Sequence, residues 1–426
     1  KYHQNLGFLE AISLLRDNYI KDKYTNWPTS YGTCKGCEFK CSDQEEKQGF
    51  KSGFKECFTK QHSWTESDFK KENIFDIYNF RKGNKVFEQG IFFKEELTEE
   101  LIDLKVDANK LTTSNRQILQ IEKGVNKDPT IFIDKEGLKA EMNTWQYPLH
   151  FIDFETSTVA LPFNKGLKPY EQVAFQFSHH IYHQDGRIEH ANEYINNKSG
   201  FFPNFEFIRA LKKALENDNG SIFRYSNHEN TILNAIYIQL IASTETDKQE
   251  LIDFIQHISH SKKDSVTFWK GERDMVDLWM VEKNFYYNPL TKGSNSIKEV
   301  LPAALNSSKV LQEKYSKPIN QINLTSKNFD QNHIWLSIEN GKINSPYKML
   351  PSVFEDWSEE QLENTLSEIE DIDNGGAALT AYGKLQYTDM TIEEVDELTA
   401  ALLKYCELDT LAMVMIFEHF KELIDG

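Results

Sequence analysis

The sequence predicts an α/β fold in which a mixed sheet is flanked by helices and is preceded by a small cysteine-rich region and a mostly helical bridge. Two observations support this fold class. From residue 146 onward, apolar segments of strand length alternate with amphipathic helical segments, whereas residues 31–64 hold clustered cysteines among Gly, Lys and Asp with little periodicity. We therefore expect three segments along the chain, with bounds 1–64, 65–145 and 146–426.

The elements of the last segment follow from its periodicity. "LHFIDF" predicts a first strand, and two alternating stretches joined by the turn "QDGR" predict a second and a third strand. A helix over "NFEFIRALKKALEND", a fourth strand over "SIFRYS" and a second helix over "HENTILNAIYIQLIAS" come next. Further helices are expected at roughly 247–259, 274–284, 296–305 and 392–424, with an insert of weak periodicity at 306–350.

The charge balance limits the functions that this chain can have. With 48 Lys and Arg against 66 Asp and Glu, the formal net charge is −18. Proteins that coat nucleic acid through nonspecific phosphate attraction are usually basic, so this balance argues against such binding. It does not exclude an enzyme that takes one strand end into a metal site, because bound cations reverse the field locally. No apolar run approaches about 18 residues, so no membrane-spanning helix is expected.

Four of the five cysteines lie in one short segment with the spacing C-x2-C-x3-C-x15-C, and Cys406 lies far from them. Such clustering is typical of metal ligation in a reducing compartment rather than of a secreted disulfide framework, so a cytoplasmic location is expected. Four thiolates at this spacing suit one tetrahedral Zn²⁺ or one iron–sulfur cluster, with inert free cysteines as the alternative. The four candidate ligands are Cys34, Cys37, Cys41 and Cys57.

Two carboxylates follow closely on the apolar residues of the first strand. Residues i and i+2 of a strand point to the same face, so Asp153 and Glu155 project together from the end of this strand. Two ionised carboxylates at this spacing repel each other, and a divalent cation would remove that cost. The alternative is that the strand ends at Ile152 and that both side chains are solvated loop residues.

Two further acidic residues occur at notable helix positions. Asp409 is the single charge on the apolar face of the last helix, and Tyr405 lies one turn before it on that face. Glu229 starts the helix after the fourth strand, where a glutamate can also simply interact with the helix dipole. A buried hydrogen-bonding role is the alternative for Asp409. Together with the carboxylates of the strand, these residues form a candidate site.

The residues of this candidate site resemble the motifs of the DEDD superfamily of 3′→5′ exonucleases. "FIDFET" matches the first motif through Asp153 and Glu155, and "YCELDT" matches the tyrosine form of the third motif, Y-x-x-x-D, through Tyr405 and Asp409. The second motif usually carries Asp, whereas "YSNHENTIL" offers Glu229. The resemblance covers about residues 147–424 and implies a ribonuclease H-like fold.

The resemblance also implies a reaction, the hydrolysis of phosphodiester bonds of DNA or RNA with two Mg²⁺ or Mn²⁺ ions about 3.5–4 Å apart. The four carboxylates would be the metal ligands: Asp153 would bridge both ions, and Glu229 and Asp409 would complete the ligation. Glu155 and Tyr405 would position the attacking water. The expected partner is nucleic acid, with a single-stranded 3′ end as the substrate.

The loop and helix start "KGSNSIKEVLP" resembles a region that follows the second motif in these exonucleases. Its candidate phosphate contacts are Lys292, Ser294, Ser296 and Lys298. The alternative is a capping serine with solvated lysines. Asp277 is a reserve metal ligand should Glu229 not bind metal.

The cysteine segment resembles the cysteine-rich tail of RecB-like nucleases, in which three tail cysteines such as Cys34, Cys37 and Cys57 join one ligand far upstream. The chain is similar to uncharacterised bacterial proteins that join a RecB-like nuclease, this cysteine segment and a DEDD-like domain. That similarity implies a RecB-like nuclease domain or partner whose core is truncated or absent in this chain. We expect no second active site in residues 1–60.

Two other functions remain open from the sequence. Glu229 at the second motif and the charge of −18 leave room for a catalytically degenerate nuclease fold that serves as a binding module in a repair or defence assembly. The second alternative is a metal phosphoesterase that acts on nucleotides.

Overall fold

A computed structural model describes residues 5–21, 29–107, 109–263, 265–339, 342–350 and 376–426. The chain divides into two compact units, Lys1–Asp103 and Leu104–Gly426. The division falls inside the segment 65–145 that the sequence suggested as a bridge. Each unit is described by itself below.

The first unit is built from short helices around an aromatic core. Phe58 is fully buried, and the centroid of its ring lies 4.5 Å from the ring centroids of both Phe54 and Trp64. Phe75 and Phe87 pack edge-on against the same ring. The helices are α1 (Phe8–Ile20), α2 (Tyr31–Lys35), α3 (Asp43–Lys47), α4 (Gly53–His62), α5 (Gly83–Glu88) and α6 (Glu99–Ile102), with 3-10 turns at Ile74–Asp76 and Lys94–Glu96.

The second unit combines strands and helices. In chain order its elements are α7 (Thr113–Val125), β1 (Phe132–Ile133), α8 (Lys135–Met142), β2 (Leu149–Ser157), β3 (Val173–Tyr182), β4 (Ile188–Ile195), α9 (Asn204–Leu215), β5 (Ile222–Arg224), α10 (His228–Ala242), α11 (Lys248–Ile258), β6 (Val276–Asp277), α12 (Leu278–Phe285), β7 (Tyr286–Tyr287), α13 (Ile297–Ser307), α14 (Lys309–Tyr315), β8 (Leu324–Thr325), β9 (Ile338–Glu339), β10 (Lys342–Ile343), α15 (Gly376–Tyr387) and α16 (Ile392–Asp425).

Six of these strands form one mixed sheet in the order β6-β5-β2-β3-β4-β8. The three long strands β2, β3 and β4 form an antiparallel meander. On one side β5 runs parallel to β2, and β6 runs parallel to β5. On the other side β8 runs parallel to β4. The strand that carries Asp153 and Glu155 therefore lies in the interior of the sheet.

Successive residues of β2 point into different cores. Phe151 belongs to a core shared with Leu408 and Phe417 of α16, whereas Ile152 and Phe154 belong to a core shared with α9, α10 and α11. This alternation is what the period of a strand requires. Helices therefore cover both faces of the sheet, with α16 on the face of Phe151.

Helix α16 has a strong start and a largely buried body. Thr391 caps it, because its hydroxyl accepts from the Glu394 backbone N–H while the Glu394 carboxylate accepts from the Thr391 N–H. From Leu398 to Phe420 most residues of the helix are buried, including Asp409. Burial of so much apolar surface against the sheet holds the helix in place.

The mixed α/β architecture predicted from the sequence is confirmed. The strand β2 continues to Ser157, so the alternative in which it ends at Ile152 is wrong. The helix expected over 274–284 is shorter, because Val276 and Asp277 pair with β5 and the helix begins at Leu278. The weakly periodic stretch 306–350 contains α14, β8 and the β9–β10 pair. In the part of the chain that the structure describes, no helix combines the length and the apolar character needed to cross a membrane.

Candidate active site

Asp153 and Glu155 lie on the face of the sheet that α16 covers. Their antiparallel neighbours on β3 are Ser178 and Gln176. Gln176 donates from Nε2 to the backbone oxygen of Leu402 on α16 at 2.8 Å, which establishes that this row of side chains faces the helix. A register shift follows directly after Glu155, and such irregularities often redirect side chains at functional sites. The two carboxylates predicted to point the same way therefore do so.

Helix α16 brings three side chains toward these carboxylates. The Cys406 thiol donates to the backbone oxygen and to Oδ2 of Asp153, both at 3.7 Å. Ligand atoms of Asp153, Glu155 and Cys406 all lie within 4.8 Å of one another. Tyr405 precedes Cys406, and Asp409 follows one turn later on the same face. Asp409 stands outside that group of three, yet its charge acts on both Cys406 and Tyr405.

Asp409 is a buried carboxylate, with 8% of its surface exposed. Burial raises its pKa, while the Lys298 ammonium and a hydrogen bond from Tyr347 oppose that rise. The Tyr347 hydroxyl donates to Asp409 Oδ1 at 2.5 Å. Tyr347 comes from the 3-10 turn Pro346–Met349 in the stretch 306–350. That stretch, which looked like an insert in the sequence, therefore contributes a side chain to the site.

Lys298 contacts Tyr405 beside the carboxylates. Its Nζ donates to the Tyr405 hydroxyl at 2.5 Å. Burial raises the pKa of Tyr405 well above its usual value, and the charges of Asp409, Glu155 and Asp153 add to that rise. Tyr405 is therefore a neutral phenol in this arrangement, able to donate a hydrogen bond near the carboxylates.

The start of α10 lies at the same end of β2. Thr156 Oγ1, next to Glu155, is 3.2 Å from His228 Nε2 in the first turn of α10. Glu229 follows His228 and is 1% exposed. His228 therefore makes a local polar contact with β2.

Asp277, the reserve ligand, has structural contacts. Its Oδ2 accepts from Arg224 at 3.0 Å, and its Oδ1 accepts from the backbone N–H groups of Ser226 and Trp279. Through the last of these bonds Asp277 caps α12. These contacts tie the end of β5 to α12.

The four candidate phosphate contacts separate into different roles. Lys292 is exposed in a left-handed turn with φ of 49°. Ser294 Oγ accepts from the backbone N–H of Ser296, and Ser296 Oγ accepts from the N–H of Lys298 at the start of α13. Ser296 is thus the capping serine of the alternative interpretation. Lys298 is no solvated lysine, because its ammonium reaches the carboxylate cluster.

A buried ion pair supports the loop that precedes Lys298. Arg116 of α7 donates from Nη2 to Glu282 Oε1 of α12 at 2.6 Å, and their side chains are 1% and 0% exposed. Asn295 donates from Nδ2 to Glu282 Oε2 at 2.8 Å. Tyr225 at the end of β5 donates to the backbone oxygen of Asn295. The loop that leads to Lys298 is therefore anchored to three elements.

A buried polar network fixes the contact between α16 and β3. Thr410, directly after Asp409, has its hydroxyl 2.8 Å from Ser178 Oγ and 2.7 Å from His180 Nδ1. His190 Nε2 lies 3.0 Å from the same serine. Burial lowers the pKa of His180 well below its usual value, so that histidine is neutral. These contacts set the rotation of α16 about its axis and hence the direction of Asp409.

The cluster fits a hard divalent cation by its chemistry. Carboxylate oxygens of Asp153, Glu155 and Asp409 are the donors that Mg²⁺ and Mn²⁺ prefer. Lys298 adds one positive charge beside these three acidic side chains. Burial raises the pKa of the Cys406 thiol well above its usual value, so it stays protonated and acts as a hydrogen-bond donor.

The cysteines of the first unit form a looser group. Burial raises the pKa of the Cys34 thiol to about 11, and Cys37 and Cys57 add smaller contributions in the same direction. These three therefore lie near one another. Among the described residues, the three-ligand group within 4.8 Å is the one around Asp153, and the four cysteines do not form such a group.

Two residues of the site were not anticipated from the sequence. Cys406 lies on the same helical face as Asp409, so the period of α16 was the signal that could have revealed it. Tyr347 has no local signal, since its contact with Asp409 spans 62 residues of chain in a stretch without clear periodicity.

Comparison with known proteins gives one match. Residues 150–296 match the model of a family described as a domain of unknown function, DUF2779. The match includes Asp153, Glu155 and Glu229, and it ends before Tyr405 and Asp409. Neither the curated proteins nor the solved structures contain a significant match to the chain.

Proposed function

We propose that this protein is a metal-dependent 3′→5′ exonuclease that hydrolyses phosphodiester bonds of DNA or RNA. One observation carries the proposal. The two carboxylates of β2 meet Tyr405 and Cys406 of α16 across 253 residues of chain, with Asp409 one helical turn away. Distant sequence segments thus contribute to one acidic cluster, and carboxylates are the ligands that two-metal nucleases use.

The order of elements in the sheet also supports a ribonuclease H-like fold. Three antiparallel strands followed by a helix, a strand and further helices are typical of this fold. The meander β2-β3-β4, then α9 and then β5 parallel to β2 follow this order. In such a sheet the first strand is interior, which suits a strand that presents catalytic carboxylates under a covering helix.

The residues of the chain have separable roles in this proposal. Two Mg²⁺ or Mn²⁺ ions, when bound, would make a water nucleophilic at neutral pH and would stabilise the attacking and leaving oxygens. Asp153, Glu155 and Asp409 would hold those ions, with Glu229 contributing from the start of α10. The neutral phenol of Tyr405 would orient the water by a hydrogen bond. Tyr347 would hold the Asp409 carboxylate in one orientation.

An end-labelled oligonucleotide assay tests the proposal. Wild-type protein with Mn²⁺ should shorten a 5′-labelled single strand into a ladder, as expected for removal of nucleotides from the 3′ end. Asp153→Asn should lower the rate by at least about a hundredfold, because it removes one charged ligand while keeping the shape. Asp185→Asn, an exposed position in the turn after β3, is the matched control and should leave the rate unchanged.

Each alternative function predicts a different result in that assay. A degenerate binding module would retain the labelled strand without shortening it. A nucleotide phosphoesterase would hydrolyse small nucleotide esters and leave the oligonucleotide intact. Activity that survives in Asp153→Asn would refute the site.

A metal centre at the cysteines is the second part of the proposal. We propose that Cys34, Cys37, Cys41 and Cys57 hold one Zn²⁺ or one iron–sulfur cluster. The C-x2-C-x3-C-x15-C spacing supports it, and Cys34, Cys37 and Cys57 interact electrostatically, although the four cysteines do not form a three-ligand group within 4.8 Å. An absorption band at about 400 nm in anaerobically purified protein would identify an iron–sulfur cluster. A colourless sample with stoichiometric zinc would identify a Zn²⁺ site. A sample with neither metal would refute this part.

A further inference from the structure

Lys298 reaches the acidic cluster from an element that carries none of the carboxylates. It lies in the first turn of α13, where Ser296 caps the helix. Its Nζ donates to the Tyr405 hydroxyl at 2.5 Å and lies 5.0 Å and 5.3 Å from the ring centroids of Tyr405 and Tyr347. The hydroxyl of Tyr405 and the rings of Tyr405 and Tyr347 therefore define the position of this ammonium group.

Three carboxylates act on this ammonium group. Tyr347, whose ring centroid lies 5.3 Å from Lys298 Nζ, donates its hydroxyl hydrogen bond to Asp409, so the ammonium group lies beside the acidic side chains. Burial lowers the pKa of Lys298, and the charges of Asp409, Glu155 and Asp153, in that order, oppose this effect. In return, the positive charge stabilises three acidic side chains that share one partly buried region. Lys298 and a bound cation would thus be attracted by the same carboxylates.

We propose that Lys298 is an internal counter-ion that makes the binding of divalent metal and of nucleic acid interdependent. This inference rests on the function proposed above. An ammonium group and a divalent ion attracted by the same carboxylates repel each other, so Lys298 weakens metal binding in the protein alone. A phosphate at the strand end gives the ammonium group a second anionic partner and relieves that repulsion. Metal and nucleic acid then strengthen each other's binding by the same factor.

The test measures the affinity for Mn²⁺ rather than catalysis. Free Mn²⁺ is followed by electron paramagnetic resonance, with and without an oligothymidylate that carries phosphorothioate linkages at its 3′ end. Wild-type protein should bind Mn²⁺ roughly five- to tenfold more tightly when this oligonucleotide is present. Lys298→Met should bind Mn²⁺ about tenfold more tightly than wild type without the oligonucleotide, and the oligonucleotide should then add less than about twofold.

Lys404→Met is the matched control. Lys404 precedes Tyr405 on α16 but places its ammonium over the ring of Phe329, at 5.8 Å from the centroid. This variant makes the same change in net charge and should retain the wild-type Mn²⁺ affinity and the wild-type effect of the oligonucleotide. Lys298→Arg, which retains a positive charge, should also keep the coupling.

The outcomes separate this inference from the proposed function. If Lys298→Met binds Mn²⁺ no more tightly than wild type and Lys404→Met, Lys298 is not a counter-ion, whereas the exonuclease proposal stands. If Mn²⁺ binding by wild type does not depend on Asp153, the exonuclease proposal fails as well. Circular dichroism in EDTA checks that each variant is folded. Should Lys298→Met be unfolded without metal, Lys298→Arg decides, because loss of coupling in that variant overturns the inference.

Discussion

The buried pair of Arg116 and Glu282 offers a sharp test of how the loop before Lys298 is supported. Replacing Glu282 with Gln keeps the shape of the side chain and removes its charge. Arg116, whose side chain is 1% exposed, then loses the carboxylate that it contacts at 2.6 Å. Both carboxylate oxygens of Glu282 accept a hydrogen bond, whereas the amide of Gln accepts only through its single oxygen. Its NH₂ group therefore faces either the Arg116 guanidinium or the NH₂ group of Asn295, both of which are donors.

The expected destabilisation follows from this burial. Removing one partner of a buried ion pair typically costs about 3–5 kcal/mol, because the remaining charge is left in a poorly solvated position. In a large unit each kcal/mol lowers Tm by about 2 °C, which gives a decrease of roughly 6–10 °C for Glu282→Gln. The displaced Asn295 should also move the loop to Lys298, so the coupling between Mn²⁺ and the oligonucleotide should weaken.

Thermal unfolding followed by far-ultraviolet circular dichroism measures this change. Glu250→Gln is the control, because the Glu250 side chain is 64% exposed and pairs with Lys212 at 2.9 Å. Exposed pairs contribute at most about 1 kcal/mol, so the Tm of this control should stay close to that of wild type. Equal Tm values for Glu282→Gln and Glu250→Gln would contradict the stabilising role of the buried ion pair.

Three further changes test other parts of the structure. Asp409→Asn should raise the Tm of the metal-free protein at pH 7. Burial raises the pKa of Asp409, so ionisation of this carboxyl lowers the stability of the protein as the pH rises through the folded-state pKa. The difference in Tm between Asp409→Asn and wild type should therefore shrink as the pH falls toward 3.8, the ordinary aspartate pKa. A Tm below that of wild type in EDTA at pH 7 would contradict this sign. Thr410→Val removes the hydroxyl that contacts Ser178 and His180. It should lower the free energy of unfolding in urea by about 1–3 kcal/mol and weaken Mn²⁺ binding. An unchanged urea midpoint would show that the polar network is dispensable. Gly220→Ala would place a Cβ 1.8 Å from the backbone oxygen of Pro148, so little soluble protein is expected, and wild-type yield and Tm would refute that close approach.

The elements around β2 could be predicted because their pattern is local. Phe151, Ile152 and Phe154 alternate between two cores, and the same alternation orients Asp153 and Glu155. The period of α16 likewise placed Asp409 and Tyr405 on one buried face. Neither pattern alone says that the two faces meet, and the resemblance to a nuclease family supplied that expectation.

The rest of the site depends on contacts that no local pattern encodes. Lys298 resembled a solvated lysine at a helix start, because its 107-residue separation from Tyr405 hides their hydrogen bond. Tyr347 lies in a stretch without regular periodicity. The two-residue strands β6 and β8 are also too short to alternate visibly, and they form only because β5 and β4 offer open edges.

The separation of Asp153 from Cys406 has a consequence for how the protein is made. A ribosome adds about 5–20 residues per second, so the 253 residues between them take roughly 10–50 s to synthesise. During that interval the sheet can form, but its acidic strand still lacks the helix that completes the cluster. A nascent chain therefore lacks the complete acidic cluster until α16 has left the ribosome; if the proposed nuclease function is correct, this would delay its activity next to its own messenger RNA.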